Sequence, residues 1–354
     1  MSEPLRVAVI GAGHMGRHHV RKYHEMAGAE LVAVIDRDEA RAKAVAEPFG
    51  APVATEWSPD MNLQAATIAV PTVHHLPVAR PLIEAGIPVL IEKPLAGSVE
   101  EADQIATLGR AHNTIVAVGH TERFNPAVRA VDRLGIKPKF IETHRISPFT
   151  FRSADVGVVF DMMIHDIDII LHLTRQPLQS VDAVGVNVLG PHEDIANARV
   201  NFAKGAVVNL TASRLALKTE RKLRIFSESA YVSLDYQTKS GVAITLDQNL
   251  DVIQFARERN IDDLSQLAGT DFGQMVHVEP LHIEDKDALE DELESFLQAV
   301  RTGSAPAVTA EDGAAAIRLA TDIVTSLASH RWDGSSSERT GLQADIFGQA
   351  ARQG

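Results

Sequence analysis

Nearly continuous apolar runs, separated by stretches of helical periodicity, fill the first third of the chain. Leu5–Ile10, Leu31–Ile35, Ala66–Val70, Pro88–Ile91 and Thr114–Val118 are short and rich in β-branched residues. Runs of that kind are strands buried on both faces, and alternation with helices predicts a parallel α/β sheet. The segments between them, such as Ala40–Phe49 and Val99–His112, read as crossover helices. From about Ile141 the rhythm changes. One helix near Asp161–Leu173 leads into Val181–Val188, Ala196–Asn201, Ala206–Ser213, Lys222–Ser227, Ala230–Asp235 and Val242–Asp247. These longer strand-like stretches predict a large, mostly antiparallel open sheet with the helix packed on one face.

Two helices close the pattern. Leu289, Leu293, Phe296, Leu297 and Val300 form an apolar stripe over Ala288–Arg301. The second helix starts at Thr309, with Asp312 three residues on as an acidic capping box. The expected division is a first domain over residues 1–121, a second over 122–333, and a Ser- and Gly-rich polar tail over 334–354.

Composition narrows the function classes. No apolar run approaches the roughly 20 residues that span a bilayer, so no membrane partner is expected. The start MSEPLRVAVI lacks a basic segment followed by an apolar one, and does not read as a secretory signal. With no cysteine, disulfides, thiolate metal sites and a Cys nucleophile are excluded, and a cytoplasmic location is expected. The net charge of −13, with no basic stripe, disfavours nucleic acid. A substrate bearing phosphates must then be held by locally placed Arg, Lys or main-chain N–H groups.

Gly11-Ala12-Gly13-His14-Met15-Gly16 fits G-x-G-x-x-G between a strand and a helix. Gly11 permits the tight turn, Gly13 lets the main chain approach a pyrophosphate, and Gly16 allows close helix–strand packing. His14 and Met15 sit at the helix N-terminus, whose free N–H groups and dipole favour an anion. Asp36 ends the second strand, 20 residues beyond Gly16. A carboxylate there accepts from a ribose 2′-hydroxyl and repels a 2′-phosphate, which favours NAD over NADP; Arg37, next along, offsets that preference.

Glu92-Lys93-Pro94 ends another predicted strand, on the edge where ligands of open α/β sheets sit. Lys93 there can hold a hydroxyl, stabilise an alkoxide or act as a base; the alternative is a surface Lys paired with Glu92. In the later helix, Asp161, His165, Asp168 and His172 share a polar face opposite Met163, Ile164, Ile167, Ile170 and Leu171. Asp161 is placed to orient His165, which suits proton exchange near neutral pH; the alternative is a solvated polar face. No metal is expected, because Lys and His can manage the proton of an alcohol oxidation. His18 and His19 read as structural, whereas His74 and His75 lie on the cofactor edge. No G-x-S-x-G elbow supports a nucleophilic serine.

Together the glycine loop, Pro71 with His75, Glu92-Lys93-Pro94 and Asp161-x-x-x-His165 resemble the Gfo/Idh/MocA oxidoreductases over nearly the whole chain. The resemblance implies α/β architecture: an N-terminal Rossmann-type parallel sheet plus a C-terminal α/β domain whose large, mostly antiparallel open sheet mediates dimers or tetramers. It implies NAD as cofactor, Lys93 and His165 as catalytic residues, Asp161 as a substrate or His partner, and His75 and Pro71 near the cofactor with Glu92. Val70-Pro71-Thr72 departs from the Thr-Pro-Asn of many relatives, which affects a contact at position 72.

Residues 119–126 (GHTERFNP), residues 155–161 (DVGVVFD) and Glu279-Pro280-Leu281 are similar to the branch acting on UDP-linked N-acetylhexosamines. That branch oxidises the 3-hydroxyl of UDP-N-acetylglucosamine, giving a 3-keto sugar that a PLP-dependent aminotransferase consumes. By this resemblance Glu122, Arg123, Asn125 and Arg152 are candidates for holding sugar hydroxyls and diphosphate; the alternative for each is a plain surface or domain-interface residue. The rival readings are a dehydrogenase of a free sugar, an inositol or a UDP-uronic acid, and a non-catalytic NAD-binding regulator.

Overall fold

The computed structural model describes residues 3–150, 156–189, 191–228, 230–246 and 276–330. Six parallel strands form the first sheet: β1 (Leu5–Ile10), β2 (Ala29–Ile35), β3 (Val53–Ala54), β4 (Ala65–Ile68), β5 (Val89–Glu92) and β6 (Val116–Gly119), in the order β3-β2-β1-β4-β5-β6. The order reverses between β1 and β4, and at such a switch point ligands bind at the carboxyl ends of the strands. Helices α1 (His14–Glu25), α2 (Glu39–Ala46), α3 (His75–Glu84) and α4 (Val99–Ala111) cover the sheet. The Asp38 carboxylate accepts from the Arg41 N–H to cap α2, and Ser98 caps α4 at the Glu101 N–H. The expected helix over 40–49 is two elements. Pro48 cannot donate to the ladder, so residues Glu47–Phe49 tighten into a 3₁₀ turn.

After α5 (Pro126–Leu134), strand β7 (Phe140–Ile146) opens a second sheet. It continues through α6 (Ile164–Thr174), β8 (Leu178–Val186), β9 (Ile195–Phe202), β10 (Val207–Ser213), β11 (Glu220–Phe226), β12 (Ala230–Asp235), β13 (Ser240–Leu246) and β14 (Val276–Pro280). The order is β14-β13-β12-β11-β7-β10-β9-β8, antiparallel at every step except β7 against β10. β7 escapes an apolar search because Glu142-Thr143-His144-Arg145 fills its middle; only Ile141, Thr143 and Arg145 turn inward. The predicted tail lies outside the described residues.

The closing helices, α7 (Ala288–Thr302) and α8 (Ala310–Ser329), join the two sheets. Leu293, Phe296 and Leu297 of α7 bury themselves with Val7, Val20 and Tyr23 of the first sheet and α1. α8 begins at a complete Thr309–Asp312 capping box, and Val308 accepts a main-chain bond from Val118 of β6. Gly313 lies so close to Val118 and Leu95 that a Cβ there would come within 3.1 Å of both side chains. The far end of α8 packs on β8, where Leu327 meets Gly185. A shared apolar core therefore runs from β4 and β5 through α8 to β9 and β10.

Candidate functional site

A cleft of about 1410 Å³ opens at the carboxyl ends of the parallel strands and extends to α6 and the start of β11. That exceeds the roughly 300–1,000 Å³ typical of a pocket for one small ligand. At its first end Gly11 has φ +102°, and a Cβ would strike the Ala69 carbonyl at 2.5 Å. A Cβ on Gly16 would lie 1.8 Å from the Gly11 carbonyl oxygen, so helix and loop meet at a distance only glycine allows. Gly13 is the opposite case: nothing lies within 4 Å of its missing side chain, leaving the main chain open to the cleft. His14 and Met15 line the same end.

Asp36 completes the cradle. Its carboxylate accepts from the Ala12 N–H at 2.8 Å and the Asp38 N–H at 2.9 Å, which fixes it at the rim while leaving lone pairs for a hydroxyl. Arg37 is exposed beside it and donates to His74 Nε2 at 3.1 Å. Pro71 lines the same cleft. The open Gly13 main chain, the bare N-terminus of α1 and the anchored carboxylate fit a dinucleotide. His75 departs from expectation. Its ring is buried against the Val70 and Leu95 carbonyls at 3.0 and 3.2 Å, so it braces the wall of the cleft rather than facing it. Burial lowers its pKa, and the neutral ring donates to one carbonyl at a time.

β5 delivers Glu92 and Lys93 to the middle of the cleft. Glu92 is buried; His19 donates to its Oε1 at 2.6 Å and the Lys93 N–H donates to Oε2 at 3.2 Å. His19 thus anchors the strand end from 73 residues away. Although burial opposes it, that bond and the neighbouring cations hold the Glu92 carboxyl below its ordinary pKa. Lys93, joined to Pro94 by a cis peptide, donates from Nζ to the Asp161 main-chain carbonyl at 3.0 Å. Burial is the largest influence on Lys93 and lowers its pKa, with Arg145 adding to it; Asp161, Glu92 and Glu122 oppose this without cancelling it.

Asp161 sits in a π turn, Val159–Met163, that precedes α6. The wider turn breaks the predicted i, i+4 pairing. His165 Nδ1 is buried with no partner among the described residues, so the Asp161 carboxylate does not orient it. Burial, Lys93 and Arg145 hold the His165 pKa well below its ordinary value. Both residues line a side pocket of about 260 Å³ that continues past Lys93 toward Arg145 and Arg221. The lower half of the supposed polar face is internal. Asp168 is buried against Arg123, and His172 bonds Asp132 at 3.0 Å.

Arg123 is therefore not free to hold substrate. It is 3% exposed, grips both Asp168 oxygens and donates to His172 Nδ1. Glu122 and Asn125 do line the cleft; Asn125 Nδ2 donates to Glu122 at 3.0 Å and its Oδ1 caps α5. Arg145 donates to Glu122 at 3.1 Å and helps hold that carboxyl below its ordinary pKa against the effect of burial. Arg152 lies outside the described residues. Sequence reading passed over Arg145 and Arg221. The available signal was strand alternation, which turns Arg145 inward from β7 and puts Arg221 on the same face of β11 as the buried Leu223 and Ile225.

A cleft that pairs a dinucleotide cradle with a lysine and a neutral histidine belongs to an oxidoreductase. Residues 5–120 match the model of an oxidoreductase family with an NAD-binding Rossmann fold, and residues 139–233 match the GFO/IDH/MocA C-terminal domain. The chain belongs to this Gfo/Idh/MocA family, and NAD is its cofactor. UDP-N-acetylglucosamine 3-dehydrogenase of Acidithiobacillus ferrooxidans is 33% identical over 302 residues, covering 84% of this chain and 88% of that one. Its solved structure has a TM-score of 0.80 at 30% identity, covering 91% of this chain and 97% of the other. Inositol 2-dehydrogenase of Corynebacterium glutamicum is 33% identical over 195 residues, 51% of this chain and 58% of its own length.

Proposed function

We propose that the protein is an NAD-dependent dehydrogenase that oxidises the 3-hydroxyl of UDP-N-acetylglucosamine to the 3-keto sugar. The observation that carries this reading is the extent of the likeness to the A. ferrooxidans enzyme. It covers 84% of the chain, whereas the inositol dehydrogenase match covers 51%. Bound NAD supplies the hydride acceptor. The protein's own task is then to take the hydroxyl proton and hold the sugar. Lys93, with its lowered pKa, presents a neutral amine more readily than an exposed lysine and is the proton acceptor or its partner. His165, whose pKa burial and the neighbouring Lys93 and Arg145 hold well below its ordinary value, shares that proton network from α6. Asp161, Glu122 and Asn125 hold sugar hydroxyls, and the dinucleotide occupies Gly11–Gly16, Asp36 and Pro71.

The product's ketone calls for a PLP-dependent aminotransferase as the following step. A cytoplasmic setting fits a chain without cysteine. We also place a dimer or tetramer contact on the open face of the second sheet, where Val186, Ile195, Phe226 and Val242 are exposed. The test of function is to incubate the protein with NAD and UDP-N-acetylglucosamine, its uronate, glucose or inositols, with an aminotransferase and glutamate present to remove ketone. Reduced nicotinamide should form with UDP-N-acetylglucosamine. Silence on the UDP-sugars with turnover of inositols overturns the reading.

A further inference from the structure

We propose that Arg221 binds the diphosphate of the substrate and so selects a nucleotide-linked sugar over an uncharged polyol; this rests on the reading above. Arg221 lies near the start of β11, where alternation puts it on the same face as Leu223 and Ile225, both fully buried. Those two belong to the apolar core, whereas the Arg221 side chain is 47% exposed. It lines the large cleft and the side pocket together with Lys93, Glu122 and His165.

The other cations of the side pocket are committed. Arg145 makes two bonds to Asp166, at 2.9 and 2.8 Å, and a third to Glu122. Arg214 donates to Asp194 at 2.6 Å and to the Val156 carbonyl at 2.7 Å. Lys93 is bonded to the Asp161 carbonyl. Arg221 makes no side-chain hydrogen bond to a described residue. Its nearest carboxylate oxygen among them is Glu122 Oε1 at 3.7 Å, which Arg145 already holds at 3.1 Å. A guanidinium kept at the pocket without a hydrogen-bonded partner among the described residues has its planar fork available to two oxygens of one phosphate. An inositol offers no such group. A sugar carboxylate does, so the experiment must separate the two anions.

The variants are Arg221→Met and Arg221→Lys in the full-length protein with NAD. For Arg221→Met, KM for UDP-N-acetylglucosamine should rise about tenfold or more, the loss expected for bonds to a charged group. Its kcat should change little, and KM for NAD should hold. Inhibition by UDP alone should weaken by the same factor, and Arg221→Lys, which keeps the charge but not the fork, should lie between. Unchanged KM and unchanged UDP inhibition overturn the proposal. So does a loss confined to the uronate, which assigns Arg221 to a carboxylate. If the wild type turns over no UDP-sugar, the functional reading fails separately. Arg221 is then judged by calorimetry of UDP: binding lost in Arg221→Met upholds the phosphate site, and equal or absent binding ends it.

Discussion

Lys93 Nζ donates to the main-chain carbonyl of Asp161 at 3.0 Å, tying the end of β5 to the turn that leads into α6. The lysine is thus positioned by a backbone atom, while the Asp161 carboxylate acts on it through charge. The two effects separate in one variant. Asp161→Asn keeps the carbonyl and removes a charge that raises the Lys93 pKa. A lysine that accepts a proton must first be neutral, so kcat/KM for oxidation should rise with pH through a pKa below 10.5. In Asp161→Asn that rise should move to lower pH, by on the order of one unit. The wild-type profile should show no inflection near 6.5 from His165, which stays neutral. A pH–rate series with both proteins checks both points, and an unmoved rise removes Lys93 as the titrating group.

Gly13 and Gly16 are three residues apart and should respond in opposite ways. Gly16→Ala places a methyl 1.8 Å from the Gly11 carbonyl oxygen, and the main chain cannot give way that far. It should fold poorly or melt well below the wild type. Gly13→Ala meets nothing within 4 Å, so its stability should stay within about 0.5 kcal/mol. Its methyl occupies space left to the dinucleotide, and KM for NAD should rise. Thermal melts and NAD titrations of the two variants decide the matter, and equal NAD affinity for Gly13→Ala refutes the cradle.

Arg123 gives a test of a residue whose expected role the structure revises. Removing one partner of a buried ion pair costs about 3–5 kcal/mol, because the other charge is stranded. Arg123→Met should therefore lose stability on that scale in urea unfolding, with Asp168 left uncompensated. The double variant Arg123→Met with Asp168→Asn should recover part of the loss. A substrate contact would behave differently, raising KM at unchanged stability.

Legibility followed distance along the chain. Gly11, Gly13, Gly16 and Asp36 were readable because the turn, the close approach and the rim carboxylate belong to one βαβ unit. Lys93 was readable as a strand end. The α6 face was half readable. Periodicity put Asp161, His165, Asp168 and His172 on a common side, but could not tell a cleft from the buried Arg123 on the far half. The π turn at Val159–Met163 then moved Asp161 out of register. The His19–Glu92 pair and the Arg145–Asp166 pair join residues on separate elements, and no local pattern marks such partners. Arg221 was recoverable, by carrying the alternation of Ile225 and Leu223 back two residues to the strand's open end.

Glu292 of α7 is almost fully buried, and its carboxyl is held well above its ordinary pKa by burial and by Glu92 and Asp168 nearby. Thr121 donates to its Oε2 at 2.9 Å, while Oε1 has no partner among the described residues. The folded protein therefore keeps a proton on Glu292 at pH values where the unfolded chain, with the ordinary value of 4.5, has released it. Between those two pKa values the unfolded state binds fewer protons, so this residue makes stability fall as pH rises. Each unit of that interval is worth about 1.4 kcal/mol. Glu292→Gln keeps the shape and the acceptor for Thr121 but cannot ionise. Its unfolding free energy should match the wild type below about pH 4.5, then exceed it by a margin that grows with pH and levels off above the folded pKa. Urea unfolding of both proteins at pH 5, 7 and 9 reads that margin directly. Parallel stability curves would mean that Glu292 ionises normally inside the protein, and that its neighbours Glu92 and Asp168 exert no net repulsion on it.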